Sequence, residues 1–119
     1  MVWECREVKR DFPDSAKDEL LVGFRKFIDD ECDFIGSHFT GHERLITQVM
    51  FVDYRQRAIL IEETVSSSGD YNPWRPLPNS LTVRVHYDDS ARVYGEELGA
   101  KIDAQLSRLE KEIKCKTVA

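Results

Sequence analysis

The sequence predicts an α+β fold: a single domain over residues 1–119, with an antiparallel sheet carrying helices on one face in the order (β)-α-β-β-β-α. Three observations lead there. Two stretches repeat apolar residues at helical spacing, near the two ends of the chain. Between them lie apolar runs rich in β-branched residues and separated by polar turns. The length of 119 residues suits one domain with one core.

Taken in order, "VWECREV" reads as a short N-terminal strand. Pro13 then precedes a helix start that Ser15 can cap, with Asp18 three residues on. Leu20, Leu21, Phe24, Phe27, Ile28, Cys32 and Ile35 follow at helical spacing, and Gly36 is a natural stop. "RLITQVMFVD" and "RAILIEETV" read as a hairpin around Tyr54 and Arg55. "LTVRVHY" alternates cleanly: Leu81, Val83, Val85 and Tyr87 point one way, Thr82, Arg84 and His86 the other. The second helix starts at Asp88, Asp89 or Ser90, any of which can cap it, and carries Ala91, Gly95, Leu98, Ile102, Leu106, Leu109 and Ile113 at gaps of three and four.

Composition narrows the function classes. The net charge is −5, and neither basic nor acidic residues gather in a run, so nucleic acid and anionic membranes are poor partners for this surface. Double-stranded-RNA-binding domains share the α-β-β-β-α order, but they need lysines where this chain has Asp88 and Asp89. No apolar run reaches the length of a membrane span or, at the N-terminus, of a signal peptide. Cys5, Cys32 and Cys115 are odd in number and widely spaced, which points to free thiols in a reducing, cytoplasmic setting.

Candidate sites are few. Cys32, His38, His42 and Glu43 fall within one short stretch, yet the paired-cysteine half of a zinc site is missing, so no metal or other cofactor is expected. That stretch reads instead as a helix-to-strand loop. His38, His42 or His86 would serve an enzyme or a small-ligand pocket between sheet and helices, although no nucleophile elbow, phosphate loop or HExxH accompanies them. The more distinctive segment is the loop "SSSGDYNPWRPLPNS". Its stretch from Tyr71 to Pro78 is stiffened by three prolines and bears Tyr71, Trp74 and Arg75, the composition of an interaction hot spot. Trp74 as a lid on the core is the competing reading. The expected function is therefore binding of a protein partner or of the chain itself. A helix over residues 90–114, about 37 Å long, would overhang the strands beneath it. Leu106, Leu109 and Ile113 would then form a homodimer seam, unless Val2 and Trp3 cover them.

Overall fold

A computed structural model describes residues 2–13, 16–42, 45–66 and 79–117. Among these residues are five ten-residue strands and two helices: β1 (Trp3–Phe12), α1 (Lys17–Glu31), β2 (Asp33–His42), β3 (Leu45–Tyr54), β4 (Arg57–Ser66), β5 (Asn79–Asp88) and α2 (Arg92–Thr117). A short 3-10 turn, Asp89–Ala91, leads into α2. All strands pair antiparallel in the order β1-β5-β4-β3-β2. The α+β fold class and the order of helices and strands read from the sequence hold, with one further strand, β2, inserted after α1.

Both helices lie on one face, as the strand periodicity requires. In β5 every second residue, Asn79, Leu81, Val83, Val85 and Tyr87, is buried. The same face of β4 presents Ile59, Ile61, Glu63 and Val65, and that of β3 presents Gln48, Met50, Val52 and Tyr54. Against them α1 lays Leu20, Phe24 and Ile28, while α2 lays Leu98, Ile102 and Leu106. The second helix approaches closely because Gly95 has no side chain: a Cβ there would stand 2.0 Å from the Tyr87 ring. Asp88 caps the turn before it, accepting hydrogen bonds from the Ala91 N–H at 3.0 Å and the Ser90 hydroxyl at 2.5 Å. These bonds, the Ser90 one foremost, hold its carboxyl below the usual value. At the start of α1, Ala16 occupies the cap position with no side-chain cap, and the expected Ser15 lies outside the described residues.

The expected seam on α2 is engaged within the chain. Leu106 is fully buried, and Leu109 and Ile113 pack half-buried against the core. A Cβ on Gly23 of α1 would come within 2.7 Å of a Leu109 methyl, so the two helices touch there without a spacer. Much of the cover expected from a second copy is thus supplied by α1. Val2 and Trp3 do not supply it, being exposed at the far end of β1, where Trp3 pairs with Asp88.

Candidate functional site

The two edges of the sheet differ in kind. β1 carries six charged side chains in ten residues: Glu4, Arg6, Glu7, Lys9, Arg10 and Asp11. Those on its helix side are tied to α2. The Arg6 guanidinium donates to the Glu96 carbonyl at 3.0 Å and Arg92 donates to Glu4 at 2.9 Å. Arg10 reaches Asp103, the Ser107 hydroxyl at 3.0 Å and Glu110 at 3.5 Å. Charge of this density is how a sheet edge resists adding another strand. The opposite edge, β2, has the sequence DFIGSHFTGH and a single formal charge, Asp33. Its pairing with β3 slips once, between Phe34 and Gly36, and then runs without interruption from Gly36↔Phe51 to His42↔Leu45. Among the described residues no strand pairs with the outer side of these seven residues of regular, uncharged edge.

Apolar surface gathers beside that edge. Phe34, opposite Val52, and Phe39, opposite Gln48, stand on the helix-bearing face but are 47% and 60% exposed. Ile46 is 42% exposed because its neighbour across the pair is Gly41, which offers no side chain to cover it. Gly41 has φ +129°, and a Cβ there would fall 2.1 Å from the Leu45 carbonyl oxygen, so this position admits only glycine. The strip is open because α1 sits inward, over β3 and β4. Gly23 meets Leu109 of α2, while on the opposite flank of the helix, about 200° further round, Arg25 reaches Gln48 of β3 and Glu63 of β4. A shallow depression on that flank is lined by Leu21, Val22, Arg25, Lys26 and Asp29.

Beneath the flank lies a small polar island. The Arg25 guanidinium donates to Gln48 Oε1 and stands 3.8 Å from Glu63 Oε2. Gln48 and Glu63 are buried and paired across β3 and β4. Burial pushes the Glu63 carboxyl above its ordinary value, and Arg25 restrains the rise. The Glu63 Oε2 and Arg25 Nε atoms have no hydrogen-bond partner among the described residues.

Among the described residues no helix packs on the outer face of the sheet. One row across it places Cys5, His86, Leu60, Phe51 and Gly36 side by side; the next places Glu7, Arg84, Glu62, Val49 and His38. His86 Nε2 lies 3.3 Å from Glu62 Oε1, and Arg84 bridges Glu62 at 3.4 Å and Glu7 at 3.8 Å. A third row brings Thr40, Thr47, Thr64 and Thr82 together, with 3.2 Å between the Thr47 and Thr64 hydroxyls. Cys5 opposite His86, with Glu62 behind, resembles a nucleophile with its base on paper. Loss of hydration pushes the Cys5 thiol up, Arg84 draws it down, and Glu7 and Glu62 add to the rise. A raised thiol is the reverse of an activated one.

The residues singled out in the sequence are therefore dispersed. His38 and His86 stand on strands three steps apart, roughly 15 Å at the usual strand spacing, and neither lines the depression beside α1. Cys32 follows α1, buried, its thiol pushed up to about 12 by burial first and by Glu31 and Asp33 next. Among the described residues no three His, Cys, Asp or Glu side chains gather to hold a metal ion. The His42 side chain, Glu43, Tyr71, Trp74 and Arg75 lie outside the described parts. What sequence reasoning missed is β2 with Phe34 and Phe39. The available signal was the aromatic and β-branched content of "HFT", outweighed by the two glycines around it.

No family model matches the chain, and no curated protein matches it. Among solved structures, an uncharacterized protein from Rhizobium leguminosarum matches with a TM-score of 0.35 and 13% identity, covering 91% of this chain and 99% of that one.

Proposed function

We propose that the protein works by binding a protein segment, with β2 as the recognition edge. The observation that carries this reading is the contrast between the edges: a charged β1 bonded to α2, and a β2 with one charge, no further strand beside it among the described residues, and exposed aromatics. An extended segment added to such an edge gains main-chain hydrogen bonds, and its alternate side chains reach Phe34, Phe39 and Ile46. Loop 67–78 belongs to the same proposal. It joins Ser66 of β4 to Asn79 of β5, and Ser66 pairs with Leu45, which pairs with His42. Tyr71, Trp74 and Arg75, which lie outside the described residues, serve as a second recognition element. A reducing, cytoplasmic setting suits Cys5 and Cys32, both free thiols.

The test is selection from a displayed library of extended peptides on sparsely tethered protein, so that copies cannot meet. Enrichment of sequences alternating apolar and polar residues is expected, with binding lost on Phe39→Asp. Equal enrichment by the wild type and the Phe39→Asp protein would refute the reading. Trp74→Ala should weaken the selected peptides while leaving stability nearly unchanged; a stability loss of roughly 3–5 kcal/mol would make Trp74 a core lid instead.

A further inference from the structure

We infer that the segment β2 receives is β2 of a second copy, giving a two-fold dimer with one continuous ten-stranded sheet. The inference rests on the recognition reading above and names its partner. A strand pairs antiparallel with its own copy only if its sequence tolerates reversal. On β2 it does: beyond Asp33 no residue carries a formal charge, so no like charges are brought face to face. On β1 the same operation would set Glu7 against Glu7 when centred there, or Arg6 against Arg10 when centred on Val8.

The register follows from the geometry. Directly opposed residues in an antiparallel pair lie on one face, so a symmetric pairing must centre on a residue and not between two. The uninterrupted stretch of β2 is residues 36–42, and its midpoint is Phe39. Pairing there sets Phe39 against Phe39 of the second copy on the helix-bearing face, His38 against Thr40, Ser37 against Gly41 and Gly36 against His42. The slip at Ile35 falls outside the paired stretch on both sides. Phe34, Ile35, Phe39 and Ile46, exposed by 47%, 67%, 60% and 42%, offer about 400 Å² of apolar surface per copy, taking ~200 Å² for a bare phenylalanine. Adding the backbone edge brings this toward the ~800 Å² per partner of a standard interface.

The experiment exploits the two-fold. Wild-type protein at ~10–100 µM should sediment as a dimer. Phe39→Asp and Phe39→Lys, each placing like charges opposite one another, should sediment as monomers with unchanged far-UV circular dichroism, since Phe39 is an exposed side chain. Their equimolar mixture should form a heterodimer again. In a Cys5→Ser background, Phe39→Cys should oxidise to an interchain disulfide, because opposed Cα atoms at about 4.5–5.5 Å lie within bonding reach, and Lys9→Cys should not. A wild-type monomer across that range, or a dimer that both charged variants leave intact, would overturn the inference. Peptides selected on a monomeric wild type would then leave the recognition reading standing, and failure of both experiments would remove both.

Discussion

Replacing Gly23 by alanine should change the sign of its effect with the residue at position 109. The two positions meet where α1 crosses α2: a Cβ at Gly23 would stand 2.7 Å and 3.1 Å from the two Leu109 methyls. Two opposing effects act there. Alanine in mid-helix is favoured over glycine by about 1 kcal/mol, whereas forcing a methyl into an occupied contact costs about 1–3 kcal/mol. In the wild type the second effect should win, giving a net loss of about 0–2 kcal/mol. Leu109→Ala alone should cost about 2 kcal/mol, the low end for a leucine because the side chain is only half-buried. Once Leu109 is alanine the obstruction is gone, and Gly23→Ala should then stabilise by about 1 kcal/mol. Urea unfolding of the four proteins at matched concentration gives the cycle directly. Additivity within about 0.5 kcal/mol would show that the residues do not touch, and would return Leu109 to the list of side chains in need of an outside partner.

Three further outcomes are expected. Arg55 and Gln56 form a two-residue hairpin with φ of +51° and +69°, a conformation glycine adopts freely, so Gln56→Gly should raise stability by about 0.5–1 kcal/mol; the bond from the Gln56 main-chain N–H to the Asp53 carboxylate, at 2.8 Å, does not involve the Gln56 side chain and survives. No gain in the urea midpoint would count against the turn geometry. Burial holds the Glu63 carboxyl above its ordinary value, so the folded state binds its proton more tightly than the unfolded chain does. Its favourable contribution is therefore present at acid pH and lost as pH rises through the raised value. Glu63→Gln should gain on the wild type between acid and neutral pH, and a constant difference would refute the argument. Cys32 behaves alike at higher pH: its thiol ionises near 9.0 when unfolded and only at about 12 when folded, so stability should fall across that window and fall less in Cys32→Ala. Parallel alkaline curves for the two proteins would contradict its buried placement.

The elements legible in the sequence are those whose burial is one-sided and regular. β5 shows it best, since Asn79 through Tyr87 alternate without a break. The helix stripes were legible for the same reason, down to Gly95, whose place in the stripe marks the contact with Tyr87, except that the first was carried on to Ile35 with a stop at Gly36, whereas α1 ends at Glu31 and both residues lie in β2. β2 was not legible, for two physical reasons. The slip between Phe34 and Gly36 adds one residue, so Phe34 and Phe39 share a face although five apart, and no period of two survives. An edge strand beyond the reach of its helix also has little to bury, so its outward residues need not differ from its inward ones. The candidate site was hidden with it: the histidines were read as loop residues, and the two phenylalanines beside them were passed over. The stripe on α2 is a different case: its spacing was legible, but the approach of α1 to Leu109 through Gly23 could not be foreseen from α2 alone.

The placement of β1 has a consequence for how the chain acquires its structure. Strands β2 to β5 form a meander, each joining its immediate predecessor, and can assemble by short-range closures. β1 is the exception. Its partner is β5, with Trp3 beside Asp88 and Phe12 beside Asn79, so roughly 70 residues must be made before it has anywhere to go. On a ribosome it emerges before the other four strands, yet cannot be seated until β5 is made. An apolar strand in that position would spend the wait as a hazard for neighbouring chains. Its six charges keep it hydrated until β5 and α2 arrive to receive it. β2 has no such wait, because β3 follows two residues later, and its nearly uncharged sequence is tolerable for that reason.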